Sequence, residues 1–170
     1  FNPVVLSVDD EPLSRRAVEH AIEKAGVRGI ACDNGTTALE LARKTHFDLV
    51  VLDVDMPGMN GYEVCTKLRA LPAYKETPVI FVTSLSDFQS RARSTLSGAN
   101  DLIAKPFVFV ELSVKALSYL LKAELAQGMR YGLELKHELD FAPVRDDPAF
   151  RVLMDAEAAW ALSLPAPRDE

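Results

Sequence analysis

Cysteine, tryptophan and histidine are scarce in this chain of 170 residues, which holds two, one and three of them. Cys32 and Cys65 each sit inside an apolar pattern. Two thiols so placed exclude a disulfide framework and a zinc site, and they read as reduced packing residues of a cytoplasmic protein. His20, His46 and His137 are scattered without transition-metal spacing and read as structural or solvated. No apolar run approaches the ~20 residues that cross a bilayer, and the N-terminus lacks the basic and apolar regions of a secretory signal, so no membrane role is expected. Internal repeats and low-complexity linkers are missing too. So is any basic excess, since the net charge is −6. Residues 1–122 are nearly balanced, with 14 basic against 15 acidic side chains, whereas 123–170 carry 5 against 10. That acidic tail argues against a C-terminal module for nucleic acid, which needs a basic face to meet phosphates.

What remains is a globular composition, 48% hydrophobic and 26% charged, long enough for one domain or one domain with an appendage. The chain opens on Phe1 rather than Met, which admits a processed or trimmed piece of something longer. Short runs rich in Val and Ile predict strands at 4–8, 29–32, 49–53, 78–83 and 102–104. Between them lie stretches of helical period. One opens at Pro12 and stops at Gly26, with Ala17, Ala21, Ile22 and Ala25 on one face. Others start behind Asn34 and Gly35, occupy 61–71 before Pro72, and run from a capping Asp87 to Gly98. This alternation predicts an α/β fold around a parallel sheet, its strands covered on both faces. Beyond the fifth strand, a leucine stripe (Leu117, Leu121, Leu125, Met129, Leu133) predicts a long helix, which Gly128 and Gly132 weaken by about 1 kcal/mol each. A last helix is expected behind Asp147 and Pro148.

The polar residues collect at the carboxyl ends of these strands, where open parallel sheets bind ligands. Strand one finishes in Asp9-Asp10-Glu11, strand three in Asp53, strand four in Thr83-Ser84 and strand five in Lys105-Pro106. Two or three carboxylates, a hydroxyl and an ammonium therefore face one crevice. Clustered carboxylates repel and are costly to bury, and a hard divalent cation such as Mg²⁺, which takes oxygen ligands, offsets that repulsion. Cation, nucleophilic carboxylate and oxygen-directed donors together suit phosphoryl chemistry. Glu11 reads as a residue that favours the helix N-terminus electrostatically, outside the site.

"VDDE" (8–11), "LDVDMPGMNG" (52–61), "VTS" (82–84) and "AKPF" (104–107), in this order and spacing, resemble the receiver domain of two-component response regulators, over about residues 3–122. The resemblance implies a chemotaxis-regulator-like, flavodoxin-like fold: a five-stranded parallel sheet of order 2-1-3-4-5 between five helices, here with a C-terminal helical extension. It implies a receiver at 1–122 and an extension at 123–170. It implies that Asp53 accepts a phosphoryl group from the phosphohistidine of a sensor histidine kinase or phosphotransfer protein. Asp10 and Asp53 would bind Mg²⁺ directly, Asp9 mainly through water, and Asp55 through its backbone carbonyl. Lys105 would pair with phosphoryl oxygen, Thr83 would move to hydrogen-bond it, and the peptide before Pro106 would be cis. Such a protein is a signalling phosphoacceptor that catalyses only its own phosphorylation and dephosphorylation. Where the family usually has Tyr or Phe, three residues before Lys105, this chain has Leu102.

Two other readings compete with this one. "LDVD" also resembles the Asp-x-Asp opening of haloacid-dehalogenase-type phosphatases, but there the motif precedes its acidic metal pair, and here Asp9-Asp10 come first. A receiver-shaped interaction module without phosphate turnover fits poorly with the complete set Asp9, Asp10, Asp53, Thr83 and Lys105. For 123–170 two readings stay open: helices that pack on the receiver or pair with a second copy as a homodimer, because the leucine stripe must be buried somewhere, or a fragment of a larger protein.

Overall fold

The computed structural model describes residues 3–84 and 93–126, with side chains as far as 123. Five strands, β1 (Val4–Val8), β2 (Arg28–Cys32), β3 (Leu49–Leu52), β4 (Val79–Thr83) and β5 (Asp101–Ala104), form one parallel sheet of order β2-β1-β3-β4-β5. The connecting helices are α1 (Pro12–Lys24), α2 (Gly35–Lys44) and α3 (Gly61–Arg69), then α4, described over 93–96, and α5 (Phe109–Ala126). The order and the flavodoxin-like fold are those the motifs implied.

Alternation along the strands divides the apolar side chains into two cores. Val5, Leu49, Val51, Ile80 and Ile103 face α1 and α5, where they meet Ile22, Leu112 and Leu117. Leu6, Val50, Leu52 and Phe81 face α2 and α3, where they meet Phe47 and Leu68. A fully buried side chain of this kind contributes ~1.5–3 kcal/mol, so both faces of the sheet are anchored. Cys32 and Cys65 are free and buried, as expected of packing residues.

Several local expectations need correction. The buried face of α1 is built by Val18, Ala21 and Ile22, and Ala17 is exposed. β3 ends at Leu52, so Asp53 follows the strand instead of closing it. β2 is an edge strand whose Arg28 and Gly29 are exposed, so its two faces are not both covered. α3 stops at Arg69, and Pro72–Tyr74 form a separate 3-10 turn. Asn34 caps α2 as predicted, its Oδ1 accepting the Thr37 N–H at 2.8 Å. Asp87 lies outside the described residues.

Leu117 and Leu121 of the leucine stripe are buried in the core under α5. These two residues of the stripe thus need no second copy to cover them. The remainder of the stripe and the helix expected behind Asp147 lie outside the described side chains. No described helix is long and apolar enough to cross a membrane.

Candidate functional site

Parallel register brings the strand ends together. Val8 stands beside Leu52, and the Asp53 N–H donates to the Val8 carbonyl at 2.8 Å. On the other side the Asp9 N–H donates to the Cys32 carbonyl at 3.2 Å, and the Lys105 N–H to the Thr83 carbonyl at 2.8 Å. The ladder continues just far enough to fix the backbone of each polar residue. The loop after Asp53 folds back tightly, with Gly61 N–H donating to the Val54 carbonyl at 2.9 Å. A Cβ at position 61 would collide with the Asp53 carbonyl and lie 2.8 Å from Val54 Cα, so only glycine permits this approach.

Asp9, Asp10 and Asp53 offer carboxylate oxygens that all lie within 4.8 Å of one another. Asp9 and Asp53 are almost wholly buried, at 2% and 5% exposure. Lys105 Nζ reaches Asp9 Oδ2 at 2.7 Å and Asp53 Oδ1 at 3.4 Å, and the Lys105-Pro106 peptide is cis. Burial works against the Lys105 charge, but the hydrogen bond it donates to Asp9 and the charges of both aspartates outweigh it and raise the lysine. Burial pushes the Asp53 carboxyl above its ordinary value; the Lys105 charge opposes this, and Asp9 adds to the rise.

One ammonium among three carboxylates leaves the cluster net negative. The donor set is all oxygen, compact and half-shielded from water, which fits a hard cation of the Mg²⁺ type and not a soft metal. The cluster opens into a cleft of about 690 Å³ whose walls include Leu13, Ala17, Asp55, Ser84 and Phe107. The Asp55 side chain is exposed on that wall and stands apart from the carboxylate cluster.

Thr83 is fully buried at the end of β4, opposite Ala104. Alternation along β4 puts it on the same face as Phe81 and Val79, at the carboxyl end of the strand. Glu11 also lines the cleft, though its side chain makes no cap on α1.

Two participants were invisible to the sequence argument. Ser14 Oγ donates to Asp9 Oδ2 at 2.5 Å, and Arg15 donates to the Asp9 carbonyl at 2.8 Å. Both lie on the first turns of α1, five and six residues after Asp9. That spacing returns a helical side chain to the strand end it came from, and it is the signal that could have found them.

The family model of the response regulator receiver domain matches residues 5–117. A probable transcriptional regulator, ycf27 of Porphyridium aerugineum, is 37% identical over 124 residues, 73% of this chain and 50% of that protein. The chain spans about half the length of the curated relatives it matches. Among solved structures it is similar to the Vibrio cholerae chemotaxis protein CheY4, with a TM-score of 0.66 and 32% identity over 71% of this chain and 99% of that one. It is also similar to the receiver domain of the Pseudomonas aeruginosa sensor histidine kinase PA1611, with a TM-score of 0.66 and 25% identity over 71% and 98% of the two chains. That structure is described as having a magnesium ion coordinated in its active site cleft.

Proposed function

This chain belongs to the response regulator receiver domain family, and from that premise we propose that it accepts a phosphoryl group on Asp53 in a Mg²⁺-dependent phosphorelay. The observation that carries the reading is the cluster itself: three carboxylates within 4.8 Å, with a single ammonium bridging two of them. A carboxylate oxygen of Asp53 attacks phosphorus, the phosphorus–nitrogen bond of a phosphohistidine breaks, and the electron pair leaves with the imidazole. In such a transfer the protein supplies position and charge more than covalent chemistry.

Asp10 and Asp53 would hold Mg²⁺ directly, Asp9 would hold it through water, and the Asp55 carbonyl would add a ligand. The bound ion supplies positive charge for the phosphoryl oxygens. Lys105 turns from Asp9 toward the phosphoryl group and neutralises a second oxygen. Thr83 follows by one χ1 rotamer, its hydroxyl meeting the new acceptor from the neighbouring strand end. The magnesium ion coordinated in the active site cleft of the similar receiver supports a cation at this cluster.

The donor in this proposal is a sensor histidine kinase or a phosphotransfer protein. The receiver occupies 1–122, and 123–170 is an extension that serves dimerisation or belongs to a longer protein. Its acidic character leaves nucleic acid out of the proposal.

Acetyl phosphate labelling read by intact mass tests the reading. One Mg²⁺-dependent phosphoryl group is expected on the native chain and none on Asp53→Asn. Stoichiometric labelling of the variant refutes Asp53 as acceptor, and no labelling of the native chain points to an inert interaction module. Light scattering on the same samples decides the dimer, which a concentration-independent monomer mass excludes.

A further inference from the structure

Asp9 Oδ2 is shared by two donors, the Lys105 ammonium at 2.7 Å and the Ser14 hydroxyl at 2.5 Å, while Asp9 Oδ1 accepts the Glu11 N–H at 2.9 Å. The Asp9 side chain is only 3% exposed, so water is a poor substitute for any of them. Resting on the proposed function, which requires Lys105 to leave Asp9, we infer that Ser14 is a positioning residue that keeps Asp9 aimed and satisfied while Lys105 moves.

The argument starts from distances. Lys105 leans toward Asp9 and away from Asp53, 2.7 against 3.4 Å. Pairing with a phosphoryl group on Asp53 therefore takes the ammonium away from Asp9 Oδ2. A buried carboxylate oxygen left without a donor is costly, and that cost would fall on the very step that stabilises transferred phosphate. Ser14 removes the problem because its hydroxyl remains in place. At 2.5 Å the bond is in the range of charge-assisted O–H···O⁻ contacts, the stronger class.

The position also explains why a serine can do this from a helix. Ser14 lies in the first turn of α1, and the neighbouring Arg15 donates to the Asp9 carbonyl at 2.8 Å and to the Asp10 carbonyl at 3.5 Å. α1 thus holds the backbone of the acidic pair through Arg15 and the orientation of one carboxylate through Ser14. Outer-shell partners that orient a ligand commonly change metal affinity by 10–100-fold when removed.

The test uses the full 170-residue chain and compares Ser14→Ala with Ser14→Thr, which keeps the hydroxyl. Calorimetric titration with MgCl₂ is expected to show affinity weakened about 10-fold in Ser14→Ala and largely restored in Ser14→Thr. At saturating Mg²⁺, the plateau rate of acetyl phosphate labelling should still fall in Ser14→Ala, because Lys105 is then the sole side-chain donor to Asp9 Oδ2. Urea unfolding in EDTA accompanies both variants, so that a purely structural loss is recognised by similar defects in Ala and Thr. Native affinity and native plateau rate in Ser14→Ala, or equal defects in both variants, overturn the positioning role while leaving the receiver reading intact. A native chain that neither binds Mg²⁺ nor becomes labelled overturns both.

Discussion

Replacing Asp53 by Asn should make the metal-free protein more stable, although it abolishes the proposed acceptor. At an effective dielectric constant of about 20, the Lys105 ammonium at 3.4 Å attracts an ionised Asp53 by about 5 kcal/mol. Two other carboxylates within 4.8 Å each repel it by about 3.5 kcal/mol at that limit. With Asp10 half-buried and screened, attraction and repulsion nearly offset, and burial of Asp53 tips the balance against its charge. Asparagine keeps the shape and an oxygen that can accept the Val54 N–H, but it carries no charge. The expected gain is about 1–2 kcal/mol, or roughly 2–8 °C in melting temperature for a chain of this length.

The pH dependence gives the sign independently. Unfolded, Asp53 loses its proton near its ordinary 3.8; folded, burial holds the proton to higher pH against the pull of Lys105. Stability conferred by Asp53 is thus highest when it is protonated, falls as pH rises from its unfolded pKa to its raised folded pKa, and stays low at neutrality. The advantage of the variant should be present at pH 7 in EDTA and shrink in acid. Adding Mg²⁺ should stabilise the native chain by mass action and the variant less, so the gap narrows or reverses. Urea melts of the two proteins in EDTA and in Mg²⁺ check the whole pattern. An Asn variant that is less stable than the native chain in EDTA would refute the electrostatic reasoning.

Three further outcomes follow from features away from the acidic pair. The buried Ser7 hydroxyl finds no partner among the described residues, so Ser7→Ala should raise stability by about 1 kcal/mol, and a loss in urea melts would show that it is satisfied. Arg69 donates to the carbonyls of Gly98, Tyr74 and Thr77 and to Asn100 Oδ1; Arg69→Met should cost about 3 kcal/mol and speed amide exchange around 98–100, and native exchange there would count against the clamp. Gly61→Ala drives a methyl into the Asp53 carbonyl and should cost over ~3 kcal/mol or shift the loop, with labelling lost; normal labelling by intact mass would contradict the close approach.

Period and punctuation made the architecture legible. Apolar runs ending in acidic, hydroxyl or lysine residues located the ends of β1, β3, β4 and β5, and these four converge as the β-α alternation required. Exact faces were harder to read. Ala17 and Val18 both suit a helix, and only the packing of α1 against the sheet and α5 selects Val18. The 3-10 turn at Pro72–Tyr74 follows from Tyr74, whose hydroxyl donates to the Thr45 carbonyl at 2.6 Å, a contact between residues 29 positions apart that no local pattern reports. Ser14 escaped notice for a related reason: a serine in a first helical turn ordinarily faces water or its own backbone. Its meaning depends on which buried oxygen lies opposite.

The sheet itself separates two tasks. Phe81 and Leu102 pack side by side on the α2/α3 face, back from the strand ends that lead to Asp53, Thr83 and Lys105. Leu102, in the place where the family usually has an aromatic ring, therefore stands back from the acidic cluster, inside β5 and opposite Phe81. The side chain at that position can be exchanged without touching the acidic cluster or Lys105. In the proposed function such a layout lets reception stay fixed while the message is rewritten, as a lock can keep its barrel when the bolt is changed.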